Sequence, residues 1–292
     1  MVSSESIMRE YIKRTKARLV KQRERAKLFR VASRVTPIVF NREPVNVHST
    51  FVKGDKTPLV FLTGLGCSQA DFRHALEQFK GHSILLFDFP GQGVSPRFPP
   101  AIPKNFNFSM GELADLTKTM LDHFGLNKVV LVGHSMGGVV GRKFVATHPE
   151  RVSLFVDVEG PLNLSECQRC VRMAKAKGRE FSSVIKGITK EYAGKDNPAE
   201  ARYSSTFEHA SPLAVRKYSE SLVKEFSQGN KQPLAGLGKG KVVYFAGANN
   251  KNPELQRLKE QGIPVITHPN TGHFIMEENP RHFYNKLAEL LK

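Results

Sequence analysis

Short runs of β-branched and aliphatic residues recur along the chain, separated by stretches in which apolar residues return every three or four positions. "PLVFLTG" (58–64), "SILLFDF" (83–89), "KVVLVGHS" (128–135), "VSLFVDV" (152–158), "KVVYFAG" (241–247) and "IPVITHP" (263–269) are the apolar runs. Near-continuous apolar character over so few residues marks strands covered on both faces. Ahead of them, "PIVF" and "VNVHSTFV" read as an opening antiparallel pair. Helical periodicity fills the gaps. "MGELADLTKTMLDHFG" places Leu113, Leu116, Met120, Leu121 and Phe124 on one face, and "PELQRLKEQ" and "PRHFYNKLAELLK" behave alike. Helices are also expected from about Ala70 to Phe79 and from Val139 to Ala146. Buried strands alternating with helices predict an α/β fold with a mostly parallel, doubly covered sheet.

Residues 161–235 break this rhythm. They are polar, partly helical, punctuated by Pro161, Pro198, Pro212 and Pro233, and hold no convincing buried strand. So long a stretch is not an idle loop in a compact domain. It reads as a small helical cap over the carboxyl edge of the sheet, where such folds bind ligands. The expected organisation is a basic leader over 1–36, a core made of 37–160 and 236–292, and the cap between them. No internal repeat is visible.

The leader changes the picture through charge. Residues 1–36 carry eleven Lys or Arg against three Glu, a net of +8 within the chain's +17. Met8, Ile12, Leu19, Ala26 and Phe29 fall roughly on one helical face, giving a basic, weakly amphipathic helix. A solvated leader, a mitochondrial targeting segment read by an import receptor, and contact with an anionic membrane or nucleic acid all remain open for it. No nucleic-acid motif accompanies the charge, so no specific nucleic-acid partner is expected. No apolar run approaches the roughly 20 residues that span a bilayer. Three cysteines, Cys67, Cys167 and Cys170, cannot build a disulfide framework, so an intracellular setting, cytoplasmic or mitochondrial, is expected.

The candidate chemistry begins at "VVLVGHSMGGVV" (129–140). Gly133-x-Ser135-x-Gly137 suits a strand–turn–helix too tight for flanking side chains, from which only the serine projects. A serine needs a base to activate it, and the base needs a group to orient it. With this motif the chain resembles the α/β-hydrolase superfamily from about Phe51 to Lys292, and four further stretches stand in that family's order.

In "VFLTGLGCS" (60–68), Thr63-Gly64 replaces the family's usual His-Gly. The resemblance implies that the Leu65 and Met136 backbone N–H groups form an oxyanion hole. "DFPGQGVS" (88–95) resembles a family turn in which Asp88 is structural. "NTGHFIMEENP" (270–280) places His273 after the last strand, where the family's catalytic base sits. His134, beside the serine, is expected to pack. The acid departs from the commonest pattern, because Gly247-Ala248-Asn249-Asn250 stands where Gly-x-x-Asp is usual. A second family position lies at the end of the preceding core strand, where "HPERVSLFVDVEGP" supplies Glu159. Haloalkane dehalogenases and zearalenone-type lactonases carry a Glu there in a similar context. Glu159 is the expected acid; Asp157 and Asn250 stay open as alternatives.

Cys167-Gln168-Arg169-Cys170 has two cysteines on one helical face but no second ligand pair, so ordinary helix residues are expected rather than a metal site. Cys67 is placed to line the pocket. The resemblance implies a serine hydrolase that cleaves a carboxylic ester, lactone or thioester of a small acyl substrate through an acyl-enzyme, with no cofactor or metal. A serine nucleophile speaks against dehalogenase and epoxide-hydrolase chemistry. The alternative is a small-molecule binding or receptor protein on the same fold.

Overall fold

The computed structural model of the chain describes residues 32–93, 102–227, 234, 238 and 241–292. The leader lies outside the described residues as far as residue 31. Eight strands form one sheet: β1 (Ser33–Phe40), β2 (Glu43–Val52), β3 (Lys56–Leu62), β4 (His82–Phe87), β5 (Val129–His134), β6 (Val152–Val158), β7 (Val242–Gly247) and β8 (Val265–His268). Their order across the sheet is β1-β2-β4-β3-β5-β6-β7-β8. β1, β2 and β4 are joined by antiparallel ladders, and β4 to β8 by parallel ones. β8 at the sheet's edge is only partly covered, whereas every residue of β5 and β7 is buried, as are the carboxyl halves of β3 and β6. Such strands need helices on both faces.

Those helices are α1 (Ala75–Gln78), α2 (Met110–His123), α3 (Met136–Thr147), α8 (Glu254–Glu260), α9 (Ile275–Glu278) and α10 (Pro280–Glu289); between β6 and β7 lie α4 (Gln168–Lys175), α5 (Gly178–Ala193), α6 (Pro198–His209) and α7 (Pro212–Ser227). Ser109 starts α2 by accepting the Glu112 N–H at 3.0 Å, an N-cap worth about 1 kcal/mol. Among the described residues no helix is long and apolar enough to cross a membrane.

Two local expectations change. The strand expected at Pro37 starts at Ser33, because the pairing with β2 runs in register back to Ser33↔Thr50 and the Ser33 hydroxyl bonds His48 Nε2 at 2.8 Å. Residues 33–36 are therefore strand rather than leader. The helix expected over 70–79 is split into a tight turn at Gln69–Phe72 and the single turn α1. Side chains take the backbone groups a continuous helix would use: Asp88 accepts the Gln69 N–H at 2.7 Å, and Arg73 donates to the Ala70 carbonyl at 2.9 Å.

The sheet order reverses direction between β3 and β5, which opens a crevice at their carboxyl ends. The helices α4–α7 lie over it, with α4 packed on α7 and α5 on α6. Two tyrosines tie them down: Tyr203 donates to the Leu65 carbonyl at 3.0 Å and the buried Tyr218 to the Pro90 carbonyl at 2.9 Å.

Candidate active site

Ser135 sits between β5 and α3 with φ 53° and ψ −117°, a conformation that non-glycine residues rarely adopt and that the surroundings must enforce. The flanking glycines explain how. A Cβ at Gly133 would lie 2.3 Å from the Gly137 carbonyl oxygen, and one at Gly137 would lie 2.3 Å from the Leu62 carbonyl oxygen. The turn is pinned by the Ser135 N–H, which donates to the Val158 carbonyl at 2.9 Å. Met136 opens α3, where the first backbone N–H groups have no partner within the helix.

Leu65 lies on the loop after β3. Two contacts hold that loop, and neither uses the histidine that Thr63 replaces. Gln92 accepts the Gly66 N–H, and Tyr203 of α6 binds the Leu65 carbonyl from above. Asp88 is buried and occupied by the Gln69 N–H at 2.7 Å and His48 Nδ1 at 3.2 Å, which fixes the turn that carries Gln92.

His273 lies between β8 and α9, and its backbone is held on three sides. Glu278 accepts the Gly272 N–H with one oxygen and the Phe274 N–H, at 3.1 Å, with the other. His134 Nε2 donates to the His273 carbonyl at 2.9 Å. Burial, with His273 beside it, holds the His134 imidazole well below the usual histidine range, so it acts as a neutral donor. The two rings lie 4.8 Å apart.

The three candidate acids separate cleanly. Glu159 follows β6 with φ 51°, a second left-handed non-glycine residue. Its side chain is 8% exposed, and Oε2 lies 3.4 Å from His273 Nδ1. Oε1 accepts the Gly247 N–H at 2.7 Å. Asn250 donates its amide to both oxygens, at 3.0 and 3.1 Å. Asp157, two residues back, faces the other side of the sheet. Its Oδ2 lies 2.8 Å from Arg142 Nε and 2.7 Å from Nη2, while Arg142 also donates to the Gly160 and Pro161 carbonyls. Strand alternation sends Asp157 to α3, and the turn sends Glu159 to His273.

Ser135, His273, Glu159, Leu65 and Met136 all line one cavity of about 340 Å³. Its remaining wall comes from the helices over the crevice, through Met173, Ile188, Tyr192 and Leu222, and from Phe274. Cys67, Cys167 and Cys170 line it as free thiols. Sequence reasoning missed Glu278, Gln92 and Tyr203. The only available signal was their presence in or near the quoted motifs, because what each side chain bonds depends on the folded neighbourhood.

A profile of the alpha/beta hydrolase fold family matches residues 57–266. A zebrafish (Danio rerio) protein named sn-1-specific diacylglycerol lipase ABHD11 is 36% identical over 264 residues, 82% of this chain and 80% of that protein. Its mouse (Mus musculus) namesake is 24% identical over 278 residues, 85% of this chain and 86% of its own. Among solved structures, an N-acyl homoserine lactonase, AidH, superposes with TM-score 0.65 at 18% identity, over 89% of this chain and 96% of its own. An esterase from Thermogutta terrifontis gives 0.68, also at 18%, over 88% and 98%. At such identity these two structures bear on the fold alone.

Proposed function

The chain belongs to the α/β-hydrolase family, and on that premise we propose that it is a serine hydrolase using Ser135, His273 and Glu159 to cleave an ester, lactone or thioester through an acyl-enzyme. The observation that carries this reading is the Glu159 carboxylate 3.4 Å from His273 Nδ1, in the cavity that also holds Ser135. With Nδ1–H turned to the carboxylate, Nε2 is the ring's free acceptor. It takes the Ser135 proton as Oγ attacks the acyl carbonyl. The Leu65 and Met136 N–H groups receive the oxyanion; one such donor is worth roughly 3–4 kcal/mol in another hydrolase. His273 then protonates the leaving group and activates the water that frees the acid.

The cavity also bears on the substrate. At about 340 Å³ it stands near the lower end of the roughly 300–1,000 Å³ usual for ligand sites. Its apolar wall of Met173, Ile188, Leu222 and Phe274 suits one acyl chain of short to medium length. The zebrafish relative's name, a diacylglycerol lipase, favours the ester among the three bond types.

A fluorophosphonate probe tests the reading together with a series of esters of increasing acyl length. The expected result is one adduct, on Ser135, and a rate optimum at short to medium acyl length. Ser135→Ala removes the adduct and lowers kcat by about 10⁴–10⁶, by comparison with measured triads. Hydrolysis unchanged in that variant would overturn the assignment.

A further inference from the structure

The cysteines of "CQRC" have no part in the proposed chemistry, yet both reach its cavity. Cys167 is the N-cap residue of α4 and Cys170 lies in that helix's first turn. The spacing of three places both sulfurs on one face, and both line the cavity with Ser135 and His273. Cys167 is buried and Cys170 half-buried, so the cavity itself is the route by which a small reagent reaches the pair. Arg169, also on the cavity wall, brings a guanidinium next to Cys170 in sequence.

We propose that Cys167 and Cys170 form a peroxide-sensitive dithiol, oxidised reversibly to a disulfide that reshapes the substrate cavity. Two cysteines three apart at the start of a helix are an arrangement that favours one thiolate. The neighbouring Cys167 thiol holds the Cys170 thiol below its usual range against the effect of burial, and Arg169 adds to the effect. Either thiol can attack first with the same balance; Cys170, the less buried of the two, is the one a reagent in the cavity meets. Its sulfur attacks a peroxide oxygen, the O–O bond breaks, and the other oxygen leaves as alcohol or water after taking a proton. The Cys167 sulfur then attacks the resulting sulfenic acid, the S–S bond forms, and hydroxide departs with the Cys167 proton as water. Two thiols and one hydroperoxide give one disulfide, one alcohol and one water. A thiol reductant reverses the step.

The link to the cavity is direct. α4 packs on α7, and Met173, one turn beyond Cys170, touches the Ser219 hydroxyl of α7 at 3.9 Å. Closing a bond between the Cys167 and Cys170 sulfurs moves the start of α4, and with it the wall formed by Met173 and Leu222. That consequence rests on the hydrolase reading; the oxidation itself does not.

The full chain is titrated with hydrogen peroxide and followed by intact mass, peptide mapping, ester hydrolysis and binding of a fluorescent medium-chain fatty acid. The expected result is loss of two hydrogens in mass, a 167–170 cross-linked peptide, a several-fold change in both hydrolysis and probe binding, and reversal by dithiothreitol. Cys167→Ser and Cys170→Ser, each measured against its own untreated sample, show neither the cross-link nor the reversible change. Two free thiols at 167 and 170 after peroxide treatment overturn the proposal, as does a cross-link through Cys67. So does a 167–170 disulfide that leaves hydrolysis and probe binding untouched. A chain that forms the disulfide and changes its probe binding, yet hydrolyses no ester in either state, overturns the hydrolase reading and leaves the dithiol standing.

Discussion

The turns after β6 and β7 lie side by side and divide one task between them. The first supplies a carboxylate, Glu159; the second supplies an amide, Asn250, bonded to both oxygens of that carboxylate. They meet because Val158 pairs with Phe245 in register and the Glu159 N–H continues the ladder to the Phe245 carbonyl at 3.0 Å. Ends of adjacent parallel strands deliver side chains to almost the same point. The negative charge beside His273 can therefore sit on either turn, provided the other turn offers a donor. A lone carboxylate there would be half-satisfied; with the Gly247 N–H and Asn250 both its oxygens have donors and Oε2 is aimed at His273. The difference between the turns is one of charge, and each prediction below acts on it.

Glu159→Gln breaks the comparison outright. The variant keeps the shape and removes the charge that, in the proposed mechanism, stabilises the imidazolium in the transition state. A loss of about 10²–10⁴ in kcat is expected, by comparison with the Asp→Asn change in a serine-protease triad. Adding Asn250→Asp to that variant returns a carboxylate from the neighbouring turn and should recover part of the loss in steady-state kinetics. If the double variant is no faster than Glu159→Gln, the two turns are not interchangeable carriers of the charge.

Asp157→Asn asks whether any carboxylate at the end of β6 would serve. Its side chain faces Arg142, with no contact to His273, so the effect belongs to stability. Breaking a buried ion pair by removing one partner costs about 3–5 kcal/mol, because the other charge stays buried. Denaturant unfolding should show that loss, while kcat per folded molecule stays within about twofold, the surface-level scatter of unrelated sites. A fall in kcat comparable to that of Glu159→Gln would return Asp157 to the list of candidate acids.

The neighbouring carboxylates also mark what a reader of the sequence alone can and cannot reach. Strands such as Val152–Val158 are legible because burial on both faces demands an apolar run, and the elbow is legible because only glycine fits two positions either side of Ser135. The absence of an acid in Gly247-Ala248-Asn249-Asn250 is equally plain, and it points back to Glu159. The partnership of Asn250 with Glu159 is not legible, since it depends on two residues 91 positions apart sharing the sheet's edge. The same holds for Glu278, whose carboxylate reaches back across a turn to the backbone on both sides of His273. The insertion shows itself as a break in rhythm. That Tyr203 would hold the Leu65 loop depends on a packing of helices that no periodicity encodes.

Glu278→Gln sharpens the comparison from the histidine's side. A glutamine keeps one acceptor oxygen and presents an N–H₂ where the other stood, so either Gly272 or Phe274 loses its partner. An unpaired buried backbone donor costs about 1–3 kcal/mol. The histidine loop should loosen and kcat fall roughly tenfold, while the charge at Glu159 is untouched. Glu278→Asp, too short to bridge both N–H groups, should do no better. Unaltered kcat in both variants would show that His134 and the sheet alone fix the base.

Asn250→Ala is the mildest change and separates holding the carboxylate from supplying it. The variant leaves Glu159 with its charge, its Gly247 N–H and His273, and removes only the amide. A hydrogen bond to a charged group contributes about 1.5–3 kcal/mol when fully buried. Asn250 is half-buried, so water replaces much of what is lost. The expected outcome is a fall of about three- to tenfold, corresponding to roughly 1 kcal/mol, expressed in kcat more than in KM because the amide acts on the transition-state imidazolium through Glu159. Asn250→Asp in the otherwise unaltered chain should be worse than Asn250→Ala. It replaces a donor by a second carboxylate within hydrogen-bond range of the first, and two like charges so close cannot both remain ionised. That ranking, alanine milder than aspartate when Glu159 is present and aspartate beneficial when it is Gln, is the signature of one charge shared between two turns. Equal behaviour of the two variants in both backgrounds would mean that Asn250 fills space beside the triad and does nothing for its charge.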